Sequence, residues 1–197
     1  MSTAPVLHLV RHGESTWNAA GLLQGRTTHV GLTARGRAQA RAVAEALRVG
    51  TGALVLTSPQ RRAAETAAVL GRVRGLRVQE RSGLREQSHG EWEGRPAAAC
   101  AAALAGAEPD WAPPGGETGR ELHARAARVL AGLPVAGEVV LVTHGETLRA
   151  LVAAACGLGP EEAPREVPPN GTLVELRPVG PGRWERTEQP AGTAEHR

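Results

Sequence analysis

The sequence predicts an α/β fold: a three-layer α/β/α sandwich around a mostly parallel central sheet. Three observations predict it. Short apolar runs alternate with alanine- and arginine-rich helical stretches along most of the chain. Two of those runs, Val6–Val10 and Val139–Val142, end in the same order of histidine then glycine. A third, Ala53–Leu56, leads through Thr57-Ser58-Pro59 to Arg61-Arg62. Strands separated by helices pair in parallel and take cover on both faces. No linker divides the chain, so residues 1–197 read as one domain, with a disordered tail expected over about 188–197.

Val6–Val10 reads as a buried strand, and Gly13 lets the backbone turn at its carboxyl end. Ser15–Gly31 is a polar, glycine-rich loop, after which Thr33 caps a helix running through Arg48. Ala53–Leu56 is a strand, followed by a helix over Pro59–Leu70 with its proline in the first turn. Leu76–Gln79 is a short strand. The segment 83–116 is irregular apart from an alanine-rich helix around Ala97–Leu104. Thr118 caps a helix to Leu130, then come the strand Val139–Val142 and a helix over Glu146–Cys156. Past a proline-rich loop, Thr172–Leu176 and Trp184–Thr187 form a terminal hairpin.

Composition narrows the function. The 197 residues are 41% hydrophobic but contain no Phe, Tyr or Ile and only four Trp, so the core is Leu, Val and Ala. No apolar stretch is long enough for a membrane span, and the amino terminus lacks a signal pattern. Cys100 and Cys156 read as buried thiols of a cytosolic protein, which places the chain in the cytoplasm. All 23 basic residues are arginine, yet the net charge is only +3. They are scattered along helical faces without interleaved aromatics, which argues against a nucleic-acid partner.

Absences narrow the chemistry as well. There is no Lys, and Asp110 is the single Asp, which excludes a phosphate-loop lysine and an aspartate-built magnesium site. Gly106 and Glu162 stand where a cysteine-phosphatase loop needs arginine, and no Gly-x-Ser-x-Gly elbow occurs. Histidine is the best nucleophile left. In open α/β sheets ligands bind at the carboxyl ends of strands. An isolated Arg11-His12-Gly13 reads as a capped strand end with an ion pair to Glu14. Its recurrence at Thr143-His144-Gly145-Glu146, with the arginine pair at a third strand end, favours a phosphate site.

These residues closely resemble the histidine phosphatase superfamily, the phosphoglycerate-mutase-like proteins. Leu9-Val10-Arg11-His12-Gly13-Glu14-Ser15 with Trp17-Asn18 matches the opening signature. Leu23-Gln24-Gly25 and Gly31-Leu32-Thr33-Ala34-Arg35-Gly36 match the following loop and helix. Thr57-Ser58-Pro59 with Arg62-Ala63 and Thr66-Ala67, then Leu84-Arg85-Glu86 with Gly90-Glu91-Trp92-Glu93-Gly94, and Val142-Thr143-His144-Gly145, complete the order. The resemblance implies a phosphoglycerate-mutase-like sandwich and a phosphohistidine at His12. It implies that Arg11 and Arg62 clamp the phosphoryl oxygens and keep His12 unprotonated. His144 would donate to the same oxygens, and Glu86 would protonate the leaving alkoxide and then activate water. Asn18, Gln24, Gly25 and Gly145 join the phosphate or substrate surroundings.

Glu91 and Glu93 compete with Glu86 as the acid, and Arg61 is read as a surface neighbour of Arg62. His29 and His89 are read as rim or surface residues and His8 as a half-buried strand histidine. Trp92 and Trp111 are candidates for an apolar wall, with core packing as the equal alternative for Trp92. The segment Arg26–Gly31 departs from the family pattern, which weakens substrate analogy there. The short stretch from Glu86 to Pro113-Pro114-Gly115-Gly116-Glu117 favours a phosphatase of small phosphate esters over a cofactor-dependent mutase, the alternative. A phospho-ligand-binding module is less favoured, because a binder needs neither nucleophile nor acid. The resemblance implies no metal and no cofactor, and a monomer or homodimer without membrane or nucleic-acid partners.

Overall fold

The computed structural model describes residues 4–187, so the tail expected over 188–197 lies outside the described residues. Six strands form one sheet in the order β3-β2-β4-β1-β5-β6, with β1 Val6–Arg11, β2 Leu54–Thr57, β3 Val78–Glu80, β4 Glu138–Thr143, β5 Leu173–Gly180 and β6 Arg183–Arg186. The four strands β3, β2, β4 and β1 run parallel, while β5 and β6 are antiparallel at one edge. Side chains alternate between faces along a strand. Leu7, Leu9, Val139 and Leu141 accordingly enter one core with Leu122, Leu148 and Leu151. Val10, Val140 and Val142 enter the other with Val43, Ala44 and Leu70. The helices α2 (Ala34–Ala46) and α3 (Arg61–Arg74) cover the second face. The helices α5 (Gly119–Ala131) and α6 (Gly145–Ala155) cover the first. No helix among the described residues is long and apolar enough to cross a membrane.

Several boundaries differ from the sequence expectation. The Ser15–Gly31 loop contains a short helix, α1 (Thr16–Ala19), because Ser15 and Asn18 form a reciprocal capping box. Pro59 lies outside α3: Gln60 is the extended N-cap, and the helix runs on to Gly75, whose left-handed φ of 67° stops it. Helix α2 ends at Ala46, where Leu47 turns extended and buries itself. The alanine-rich helix, α4, spans Ala97–Ala105. Cys100 is buried but Cys156, just past α6, is only half-buried.

The parallel register sets the site. Arg11 stands opposite Thr143, and Thr57 opposite Val142. Past the ends of the strands the backbone stays stitched: His12 N–H donates to Thr143 O at 2.9 Å and Ser58 N–H to Val142 O at 3.0 Å. Three loops therefore leave one edge of the sheet side by side.

Candidate active site

His12, Arg11, Arg62 and Glu86 line one cleft of about 380 Å³ at that edge, together with Asn18, Gln24 and Gly25. His144 lies behind it, its ring centroid 5.1 Å from that of His12 at an edge-to-face angle of 64°. His12 Nδ1 lies 2.7 Å from the Gly13 carbonyl oxygen. A carbonyl only accepts, so Nδ1 carries the proton and Nε2 keeps its lone pair. Burial pushes the His12 imidazolium well below its usual range, and the Arg62 and Arg11 charges push the same way. The neutral state of His12 thus owes more to desolvation than to the arginines that the sequence resemblance emphasised.

The arginines are held by main-chain oxygens. Arg62 is fully buried on α3, and its Nη1 and Nη2 donate to Thr27 O at 2.9 Å and Gly25 O at 2.8 Å. Burial lowers its pKa to about 10, Glu86 and Glu93 opposing, so it stays a cation at neutral pH. Arg11 Nη1 donates to Pro168 O. In both residues the buried Nε finds no partner among the described residues.

His144 is the second histidine of the pair. Its Nε2 lies 2.8 Å from Ser58 Oγ. Ser58 has one proton for two acceptors, His144 Nε2 at 2.8 Å and Gln60 Oε1 at 3.3 Å. A Ser58 proton given to His144 Nε2, the nearer of the two, puts the ring proton on His144 Nδ1, which is buried without a partner among the described residues. Burial first, then Arg62, His12 and Arg11, hold His144 neutral.

Glu86 is positioned at the start of α6. Its Oε1 accepts from Thr147 N–H at 3.0 Å and from Thr147 Oγ1 at 3.1 Å, and its Oε2 accepts from Glu146 N–H at 3.3 Å. The competing carboxylates lie elsewhere. Glu91 is exposed. Glu93 Oε1 accepts from Arg26 N–H at 2.8 Å and His89 N–H at 3.1 Å, which ties two loops together. Gly25, with φ of 48°, is forced by this carboxylate, since a Cβ there would overlap Glu93.

The remaining candidates divide. Asn18 Oδ1 is used by Ser15 and by Asn170 Nδ2 at 3.2 Å, which leaves only its amide nitrogen for a ligand. Gln24 Oε1 accepts from Ser15 Oγ at 2.7 Å, and the Gly25 carbonyl is turned to Arg62. Gly145 is packed against Val167 and Arg11 as the first residue of α6. His29 is exposed with its ring against Trp17, while Arg61 pairs with Glu65 on the surface. His89, read as a rim residue, is buried and lines the cleft. His8 is buried, not half-buried, between Glu138 and Glu175. Among the described residues no group of three His, Cys, Asp or Glu is arranged to hold a metal.

Sequence reasoning missed Asn170, whose amide donates to His12 O at 3.1 Å from a loop more than 150 residues away in sequence. It also missed Ser58 and Gln60 as the pair that orients His144. A buried Ser-Pro-Gln at a strand end was the available signal for those two. Asn170 carried none.

The histidine phosphatase superfamily (branch 1) matches residues 7–188. A glucosyl-3-phosphoglycerate phosphatase of Mycobacterium tuberculosis is 37% identical over 75% of this chain and 74% of its own. A probable phosphoglycerate mutase of Yersinia enterocolitica is 34% identical over 77% of this chain and 75% of its own. The structure of a mycobacterial glucosyl-3-phosphoglycerate phosphatase complexed with VO3 superposes with a TM-score of 0.84 at 30% identity, covering 94% of this chain and 99% of that one. The chain belongs to the histidine phosphatase superfamily and is a phosphatase of its first branch.

Proposed function

We propose that the chain hydrolyses a small phosphate monoester through a phosphohistidine at His12, without a metal or cofactor. One observation carries the reading. Three buried nitrogens that find no partner among the described residues, Arg11 Nε, Arg62 Nε and His144 Nδ1, belong to the residues that neighbour His12, whose own Nδ1 is committed to a backbone oxygen. A transferring phosphoryl group spreads its charge over three oxygens that such donors match. His12 Nε2 forms the bond to phosphorus while the ester P–O bond breaks, and Glu86 gives its proton to the departing alkoxide. Water then attacks the phosphohistidine, loses a proton to Glu86, and releases phosphate and free His12.

Glucosyl-3-phosphoglycerate is the first ester to try, since relatives carry its name. The mutase reading is kept because other relatives are called probable phosphoglycerate mutases. Incubation with 3-phosphoglycerate separates the two: free phosphate supports hydrolysis, and conversion to 2-phosphoglycerate supports the mutase. Nitrophenyl phosphate should be hydrolysed in the presence of chelator. Loss of that activity with restoration by a divalent ion would defeat the metal-free mechanism. The proposed setting is the cytoplasm, with a monomer or homodimer acting on a metabolite and not on nucleic acid.

A further inference from the structure

Glu86 can give up its proton usefully only where its carboxyl meets the ester oxygen while Arg62 holds the phosphoryl group. The carboxyl is held by the start of α6, and the guanidinium by the Gly25 and Thr27 carbonyls. One side chain joins the two anchors. Gln60 is fully buried at the N-cap of α3, two residues before Arg62, and is not among the residues that line the cleft. Its Nε2 donates to Gly25 O at 2.8 Å and to Thr27 O at 3.1 Å, the same two oxygens that Arg62 uses. Its Oε1 accepts the Glu86 N–H at 2.7 Å.

A primary amide suits this span, because it carries donors and an acceptor in one rigid plane. Flipped, it would set its oxygen against two carbonyls and its NH2 against an N–H, so the hydrogen bonds fix its orientation. Other bonds to the loop that carries the acid are longer or come from elsewhere. Arg26 Nε reaches Glu86 O only at 3.5 Å. Thr143, Thr147 and Arg125 bond the carbonyls of Gly83, Leu84 and Arg85 from β4, α6 and α5, none of which carries Arg62. Gln60 is thus a short, stiff link between the element that carries the clamp and the residue that carries the acid. Placement at this level matters for rate, since an error of about 1 Å at a reacting group can cost roughly 10²-fold.

We propose that Gln60 is a positioning residue for proton transfer, whose amide sets where Glu86 stands relative to the phosphoryl group in the Arg62 clamp. The proposal rests on the phosphohistidine reading with Glu86 as the acid. Its readout is the ratio of single-turnover phosphorylation rates for hexyl phosphate and nitrophenyl phosphate. Both rates are taken on one preparation, so the amount of folded protein cancels. Gln60→Met keeps the length of the side chain without its hydrogen bonds, and Gln60→Asn keeps the amide but shortens its reach. Each should lower the ratio by roughly 10–100-fold, because only the hexyl ester needs the proton, and either variant alone suffices for the test. In the Glu86→Gln background, Gln60→Met should leave the ratio where Glu86→Gln alone puts it. A ratio unmoved in either folded variant, equal slowing on both esters, or a further fall in the Glu86→Gln background would overturn the proposal and leave the phosphatase reading intact. Equal slowing on both esters by Glu86→Gln itself, or nitrophenyl phosphate hydrolysis that survives His12→Ala, would instead overturn the reading on which it rests.

Discussion

His12 and His144 are two neutral imidazoles that differ in which ring nitrogen is tied down, and that difference divides their work. His12 has its proton fixed toward Gly13 O and a lone pair at Nε2, whereas a Ser58 proton given to His144 Nε2 puts the His144 proton at Nδ1. His12→Ala should abolish both turnover and acid-labile labelling of the protein, read by phosphate release and by trapping after an acid-free quench. Arg62→Ala keeps the nucleophile but removes a buried donor. Its expected penalty is about 2–4 kcal/mol in transition-state stabilisation, read from kcat/KM. Glu86→Gln should slow single-turnover phosphorylation by alkyl phosphates far more than by nitrophenyl phosphate, by about 10²–10⁴-fold. The reason is the leaving group: an alkoxide needs the proton and a nitrophenolate does not. Equal slowing on both esters would remove Glu86 as the acid, and with Glu93 held by Arg26 and His89 main-chain N–H groups the search would turn to Glu146.

At the scale of elements, the site depends on how closely the loop after β1 meets the first turn of α2. A Cβ on Gly13 would overlap Gly36 O, and a Cβ on Gly36 would overlap Glu14 O, so both positions are closed to side chains. Thr66 on α3 fastens the same loop by accepting the Gly13 N–H at 3.2 Å. Gly36→Ala should therefore cost about 1–3 kcal/mol by overpacking, seen as a lower urea midpoint, and should weaken phosphate binding with it. A midpoint unchanged by this substitution would mean that the loop yields easily and does not fix His12. The strands and most helices were legible in the sequence because burial on both faces writes continuous apolar runs, and Thr33 and Thr118 announce their helices as caps. The pairing of His12 with His144 was legible because two strand ends repeat His-Gly. What was not legible came from long-range closure. Nothing near Asn170 shows that it reaches His12 O, and α1 depends on a four-residue capping box inside a segment that reads as loop.

Over the whole molecule, the same burial that keeps His12 neutral makes the fold sensitive to acid. His12, His144 and His8 are all buried, and in each the largest cause holding the folded pKa below the ordinary value of 6.5 is desolvation. In the unfolded chain these rings take up protons as the pH falls through about 6.5, while in the folded chain they do not. Their contribution to stability is thus fully present above that value and is lost as the pH falls from it toward the lowered folded values. Each histidine contributes a slope of about 1.4 kcal/mol per pH unit inside its window. Glu146 acts in the opposite sense, since burial raises its carboxyl in the folded state, so it offsets part of the loss nearer the carboxylate range. Glu65 and Glu117, lowered in the folded state, add to the loss only below their ordinary value of 4.5. Between about pH 6.5 and 5.5 the histidines should dominate. Urea midpoints measured across that window should fall steadily, in a phosphate-free buffer because an anion bound at the site would stabilise the folded state on its own. His12→Gln and His144→Gln should each flatten the slope even where they change the stability at pH 7.5. A midpoint that holds constant from pH 7.5 to 5.5 would show that these imidazoles protonate in place, and the neutral nucleophile at His12 would fall with that result.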